Sequence, residues 1–133
     1  MKNLNFISAF FFFFLLAASV QAQIPKVPAT GSASDISSQL LSILDNTSGL
    51  NLTGDQTTKL KSNNKSFVDQ LMKITGGSGT EDAKKSSILN LKNTRTKFLT
   101  DLLGSDLTQK YMGNVLKAIG PLKSKLGLAA LAF

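Results

Sequence analysis

The fold of this chain is decided by residues 53–76, TGDQTTKLKSNNKSFVDQLMKITG, which carry its clearest helix-start signal. Thr53 and Gln56 have the spacing of a capping box, in which each side chain accepts a hydrogen bond from the other residue's backbone N–H. Asp55 adds negative charge where the helix dipole is positive. An apolar stripe follows at helical spacing, with two apolar residues beside it: Leu60, Phe67, Leu71, Ile74, Val68 and Met72. The stretch predicts a long amphipathic helix that ends in the glycine-rich run 76–79.

Helical periodicity continues on both sides of this stretch. A first helix is expected from Asp35, with Ser34 as its N-cap, and a third from Thr80 to Gly104. The third has its apolar face at Ile88, Leu91, Phe98 and Leu102, broadened by Leu99 and Leu103. A fourth begins at Ser105 with Leu107, Tyr111, Val115 and Ile119 facing inward. Asn63 and Asn64 are poor helix formers in the middle of the second helix.

No segment has the alternating β-branched pattern of a strand. We therefore predict an all-α, four-helix hairpin or bundle-like arrangement, formed by a single helical domain over residues 34–133. Gly120-Pro121 is expected to kink or break the last helix, because Pro lacks the N–H and clashes with the preceding turn. The apolar tail LAALAF, residues 128–133, has two interpretations: it folds back over the bundle, or it contacts a partner subunit or a membrane surface.

The N-terminus has the pattern of a secretory signal peptide. A short polar region with Lys2 precedes the apolar run 6–20, and Val20 and Ala22 supply the small residues of a cleavage site. The apolar run is short for a membrane span, which needs about 20 residues. We expect cleavage near Ala22, export to a periplasm or secretion, and a flexible Pro-containing leader at 23–33.

Removal of residues 1–22 leaves 111 residues with net charge +6, and it takes away six of the nine Phe. Because the chain contains no His and no Cys, a zinc site, a haem, a disulfide framework and a Ser–His–Asp triad are excluded. The acidic residues show no spacing typical of a catalytic pair or a metal site, and no Gly-rich loop follows a strand. We therefore expect no enzyme activity, no metal and no cofactor.

The helix-start motif also carries a family resemblance. Leu52, Thr53 and Gln56 form LTxxQ, followed by Lys59-Leu60. About fifty residues later, LGSDL at 103–107 precedes Lys110-Tyr111 and looks like a degraded second copy. In that copy Leu103, Asp106 and Tyr111 match, whereas Gly104 and Leu107 replace the Thr and Gln. Over roughly residues 52–117 the chain resembles the Spy/CpxP-type periplasmic proteins.

The resemblance implies a four-helix hairpin arrangement that can dimerise into a curved cradle, in a family that includes an ATP-independent chaperone and a stress-response modulator. Because the second copy lacks Thr and Gln, its helix start needs another cap, for which Ser105 with Thr108 is a candidate. A simpler interpretation of the motif residues Leu52, Thr53, Asp55 and Gln56 is helix capping without contact to a partner.

The positive charge has two interpretations as well. The lysines form solvated helix faces, or they form a surface for acidic partners such as anionic lipid, unfolded chains or a polyanion. Nucleic acid is disfavoured, because 13 of the 14 basic residues that remain after cleavage are Lys and aromatic residues for stacking are few.

The sequence thus favours an exported, non-enzymatic helical binding protein, and the family resemblance implies a chaperone-like activity and a homodimer. The residues predicted to contact clients lie near the second and third helices: Lys61, Lys65, Arg95 and Phe98. The alternative is an exported structural or interaction protein that uses its basic surface or apolar tail.

Overall fold

The computed structural model describes residues 33–133, which are helical almost throughout. The four long helices are α1 (Ala33–Leu44), α2 (Gly54–Gly76), α3 (Glu81–Leu103) and α4 (Ser105–Ile119), and α5 (Lys123–Leu126) is a single turn. Short 3₁₀ segments span Gly120–Leu122 and Gly127–Ala132. Residues 33–133 contain no strand, so the all-α, four-helix prediction is confirmed. The predicted signal peptide and the leader up to residue 32 lie outside the described residues.

The four long helices form a closed ring. Each packs against its neighbours in sequence, and α1 also packs against α4. The α2–α3 connection is only four residues long, and a connection this short makes two helices antiparallel neighbours. No helix within residues 33–133 is both long enough and apolar enough to cross a membrane.

The helix ends follow the local signals closely. The capping box at α2 is complete: Thr53 Oγ1 accepts from the Gln56 N–H at 3.2 Å, and Gln56 Oε1 accepts from the Thr53 N–H at 3.1 Å. Thr80 caps α3 through the Ala83 N–H at 3.3 Å. Gly104 joins α3 directly to α4 with φ +82°, a left-handed conformation that favours glycine. The predicted break at Gly120-Pro121 is confirmed, since α4 ends at Ile119.

Two predicted caps are wrong. Ser34 lies inside α1, which already includes Ala33, the last residue of the predicted leader. Ser105 and Thr108 do not cap α4 either. Gly104 occupies the N-cap position without any side-chain bond, and Thr108 is buried.

The core contains the predicted apolar stripes, but α3 is rotated relative to expectation. Its buried residues are Ile88, Arg95, Leu99 and Leu103, whereas Leu91, Phe98 and Leu102 are half-buried. Arg95 therefore occupies the centre of the buried face. Helical periodicity assigns this charged residue to the solvent-exposed face of α3. In the structure it lies in the core, where Asn63, Asn64 and Tyr111 accept its hydrogen bonds.

The apolar tail folds back onto the bundle. The 3₁₀ segment Gly127–Ala132, which contains most of the tail, packs against α3 and α2. Ala129 and Ala132 are buried, and the Phe133 ring meets Phe67 edge-on at a centroid distance of 5.6 Å. Lys92 Nζ donates to the Phe133 carbonyl at 2.9 Å. The fold-back interpretation of the tail is therefore correct.

Candidate functional site

A buried polar cluster lies where the four long helices meet. It consists of Asn64 on α2, Arg95 on α3 and Tyr111 on α4, with exposed fractions of 0%, 4% and 0%. Arg95 Nη2 donates to Asn64 Oδ1 at 2.7 Å and to the Tyr111 hydroxyl at 3.0 Å. Buried polar groups are tolerated when they are hydrogen-bonded, and this cluster satisfies most of its own donors and acceptors.

The cluster also holds the end of α1. The Leu44 carbonyl is one of the last carbonyls of α1, which lack partners within a helix. It accepts from the Tyr111 hydroxyl and from Asn64 Nδ2, both at 2.8 Å. Asn64 Nδ2 also donates to Asp45 Oδ1 at 2.8 Å. The poor helix former in the middle of α2 thus links three helices.

The guanidinium of Arg95 lies over an aromatic ring and has no carboxylate beside it. Its Cζ is 4.3 Å from the Phe67 ring centroid and 6.0 Å from that of Tyr111. Within residues 33–133 Arg95 takes part in no ion pair, and its buried Nε has no hydrogen-bond acceptor. Asp45 is linked to Arg95 through the Asn64 amide, which donates to Asp45 and accepts from Arg95.

Burial dominates the electrostatics of the cluster. It lowers the pKa of Arg95, an effect that Tyr111 and Asp45 partly oppose. It raises the pKa of Tyr111, because the phenolate would be poorly solvated, although the positive charge of Arg95 acts in the other direction. At neutral pH the cluster holds a charged guanidinium and a neutral phenol.

A groove of about 360 Å³ runs between α2 and α3 beside this cluster. Its lining combines amide and hydroxyl side chains with apolar ones. The lining residues are Asn63, Ser66, Phe67, Gln70, Ile74, Ser87, Asn90, Leu91, Thr94 and Arg95. Asn63 connects groove and cluster, since its Oδ1 accepts from Arg95 Nη1 at 3.0 Å.

The groove continues into a second depression of about 350 Å³ that shares Asn63 and Ser66 with it and is also lined by Lys59, Ser62 and Phe98. No acidic residue lines either depression. We call the two together the α2–α3 groove. Its lining combines hydrogen-bond donors and acceptors with apolar side chains, and it includes two cations, Arg95 and Lys59, of which Lys59 is paired with Asp55.

The residues predicted to contact clients are only partly brought together. Phe98 is half-buried and lines the groove. Lys61 and Lys65 are exposed on α2, where Lys65 pairs with Asp69 at 2.7 Å. The prediction that Arg95 is a surface residue is wrong, because it is 4% exposed and its donors point to internal acceptors.

Sequence reasoning missed Asn63 and Asn64 as site residues, although a signal was present. Asn64 stands at helical spacing between Leu60, Phe67 and Leu71, and a short polar residue within an apolar stripe indicates a buried hydrogen bond. Its partner on α3 could not be identified from α2 alone.

The motif residues serve the internal architecture. Gln56 completes the cap at α2 and also donates from Nε2 to the Leu102 carbonyl at 3.1 Å, which ties the start of α2 to the end of α3. Leu52 is half-buried, and Leu103 and Tyr111 are buried. Asp55 pairs with Lys59 at 2.9 Å, and Asp106 is exposed in the first turn of α4.

Among residues 33–133 no three His, Cys, Asp or Glu side chains lie together in a way that could hold a metal ion. Comparisons of the chain with family models, with curated proteins and with solved structures found no match. The resemblance to the Spy/CpxP-type proteins therefore stays a prediction that rests on the LTxxQ residues.

Proposed function

We propose that this protein is an exported, non-enzymatic helical binding protein that holds extended segments of other polypeptides in the α2–α3 groove. The observation that carries the proposal is the lining of that groove. Asn63, Gln70 and Asn90 each offer an amide N–H and a C=O, as a polypeptide backbone does. Phe67 and Leu91 supply apolar surface for side chains of the bound segment.

Two features of the sequence support the same function. The secretory pattern of residues 1–22 supports export, with cleavage near Ala22. The LTxxQ resemblance supports a chaperone-like or stress-response role of Spy/CpxP type, which includes assembly into a homodimer. Holding a client at equilibrium needs neither ATP nor a cofactor, because binding alone lowers the concentration of the free, aggregating chain.

Aggregation of a chemically denatured client, followed by light scattering, tests the proposal. The chain from residue 23 onward is expected to suppress aggregation at a severalfold molar excess. Asn90→Trp fills the groove and should reduce the suppression severalfold. Asn93→Trp is the matched control, because Asn93 is exposed on the same helix and does not line the groove.

Absence of suppression by the unmodified chain would rule out the chaperone activity. An equal loss of suppression in Asn90→Trp and Asn93→Trp would rule out the groove as the site of client binding.

A second function is favoured by a separate observation. All ion pairs within residues 33–133 lie on α2 or α3, and none involves Lys110, Lys117, Lys123 or Lys125 of α4 and α5. These four exposed lysines are suited to an anionic membrane surface or another acidic partner. The apolar tail is a poor candidate for that contact, since Ala129 and Ala132 are already buried.

Sedimentation with vesicles rich in anionic lipid, across a salt series, tests this alternative. Binding should weaken as salt rises, because screening acts on exposed charges. The double variant Lys123→Gln, Lys125→Gln should bind less than the control Lys61→Gln, Lys73→Gln. Binding that persists unchanged at high salt would exclude the electrostatic account.

A further inference from the structure

The positive charge of Arg95 has no directly bonded carboxylate within residues 33–133, and Asp45 is linked to it only through the Asn64 amide. A guanidinium offers five N–H donors, and the structure gives Arg95 three hydrogen bonds, all to uncharged acceptors: Asn63, Asn64 and the Tyr111 hydroxyl. Its Nε is buried and has no acceptor within residues 33–133. A buried charge is costly unless it is paired, so this site would gain from a carboxylate.

The groove gives a carboxylate access to that charge. Arg95 lines the groove, and its Nη1 donates to Asn63, a half-buried residue that lines the same groove. The Asn63 amide is a neutral acceptor at 3.0 Å. A carboxylate in the same position would make a charge-assisted hydrogen bond, which is roughly twice as strong as a neutral one.

The surroundings of the groove also favour a negative group. No acid lines it, and the exposed acids Asp69 on α2 and Asp101 on α3 are each paired with a lysine of their own helix. Lys59 lines the far end of the groove, where its charge is paired with Asp55 at 2.9 Å. The charge of Arg95 is therefore the one positive charge in the lining that has no directly bonded acid, and a segment with an acidic side chain meets it without opposition from an acid of the groove.

We propose that the α2–α3 groove selects acidic polypeptide segments, and that a Glu or Asp carboxylate of the bound segment replaces the Asn63 amide on Arg95. This inference rests on the proposed function and adds its specificity. Arg95 binds the carboxylate of the segment, and the Asn63 side chain is the acceptor that the carboxylate displaces. Segments in which the acid is replaced by its amide bind weakly, because they only exchange one neutral acceptor for another.

Asn63→Asp separates this recognition from folding. The substitution keeps the size of the side chain and places a carboxylate next to Arg95 from within the chain. The internal carboxylate neutralises the buried charge and occupies the anchoring position. The variant is expected to melt at a higher temperature than the unmodified protein, and to lose its preference for acidic segments. Asn93→Asp, on the exposed face of α3, is the matched control for added charge.

The experiment uses two acetylated and amidated hexapeptides that are identical except for a central Glu or Gln. Each is titrated against the chain from residue 23 onward at constant ionic strength, with binding followed by fluorescence anisotropy of an attached dye. The Glu peptide is expected to bind at least about tenfold more tightly than the Gln peptide, and the ratio should fall to about one in Asn63→Asp while Asn93→Asp retains it.

The other results separate the two proposals. Equal affinity for the Glu and Gln peptides overturns the acidic preference and leaves the groove as a general polypeptide site. A Glu preference that survives in Asn63→Asp overturns the role of Arg95 and assigns the preference to surface lysines. Failure of both peptides to bind contradicts the proposed function itself, and this inference with it.

Discussion

At the scale of single residues, the interior depends on polar side chains that periodicity alone assigns to the surface. Asn64 accepts from Arg95 and donates to the carbonyl at the end of α1, which also accepts from the Tyr111 hydroxyl. Each of these groups is buried, so the loss of one partner leaves another unsatisfied. Removal of one partner from a buried polar cluster costs more than the cluster contributes when it is intact.

Asn64→Leu tests this asymmetry. The change removes an acceptor from Arg95 and a donor from the Leu44 carbonyl, and it should lower the free energy of unfolding by about 2–4 kcal/mol. Urea unfolding followed by circular dichroism measures the effect. Asn93→Leu, at an exposed position of α3, is the control and should change stability by less than about 0.5 kcal/mol. Comparable losses of unfolding free energy in Asn64→Leu and Asn93→Leu would contradict the view that the buried cluster depends on Asn64.

Tyr111 allows a direct measurement of the burial of the cluster, since it is the only tyrosine and the chain has no Trp. Its pKa is raised from 10.0, first because burial disfavours the phenolate. Absorbance of the tyrosinate should therefore appear at higher pH in the native protein than in the urea-unfolded chain. A native midpoint at or below the unfolded one would contradict the burial of the hydroxyl.

The same shift links stability to alkaline pH. Because the folded-state pKa lies above the unfolded value, the contribution is fully present below about pH 10 and declines as the pH rises toward the folded-state value. Tyr111→Phe removes this component, so its stability should fall less steeply in that window than that of the unmodified protein.

At the scale of helices, the start of α2 also makes a tertiary contact with the end of α3. Gln56 closes the capping box and also reaches the Leu102 carbonyl at the end of α3. Thr53 takes part only in the local bonds at the start of α2. The LTxxQ residues thus have an internal explanation, which agrees with the interpretation that they cap the helix.

The difference between the two residues can be measured. Thr53→Ala should cost about 1 kcal/mol, as expected for a lost N-cap. Gln56→Ala should cost more, because the part-buried Leu102 carbonyl loses its donor in addition. Gln109→Ala, at an exposed position of α4, provides a baseline near zero. A smaller cost for Gln56→Ala than for Thr53→Ala would argue against the bond to α3.

At the scale of the whole molecule, the cluster and the tail connect elements that are distant in sequence. The cluster joins the end of α1 to α2, α3 and α4, and the tail packs across α2 and α3. No helix of the ring keeps its buried face covered if its neighbours unfold. Small single domains with such shared interiors usually unfold in one cooperative step.

Urea unfolding is therefore expected to show one transition. Circular dichroism reports all helices, whereas tyrosine fluorescence reports only the cluster around Tyr111, and the two midpoints should coincide. A tyrosine transition that precedes the loss of helix would show that the cluster opens independently. That result would contradict the view that the polar cluster holds the four long helices together.

The sequence by itself determined the all-α class and most helix boundaries. The signals at Thr53, Thr80, Gly104 and Gly120-Pro121 are local, because a cap, a left-handed glycine or a missing N–H acts within one helical turn. The exceptions, Ser34 and Ser105, show that a suitable residue type near a helix start is not sufficient when the chain enters the helix at another position.

The tertiary structure alone decided the site. Arg95 is inside because Asn64 and Tyr111, 31 and 16 positions away, supply its acceptors, and Gln56 meets Leu102 across 46 positions. Periodicity assigns a charged residue to water, since it contains no information on partners from other helices. The energetic cost of burying a charge is offset only by groups that the complete fold brings together, and for that reason the groove and its arginine could not be located from the sequence.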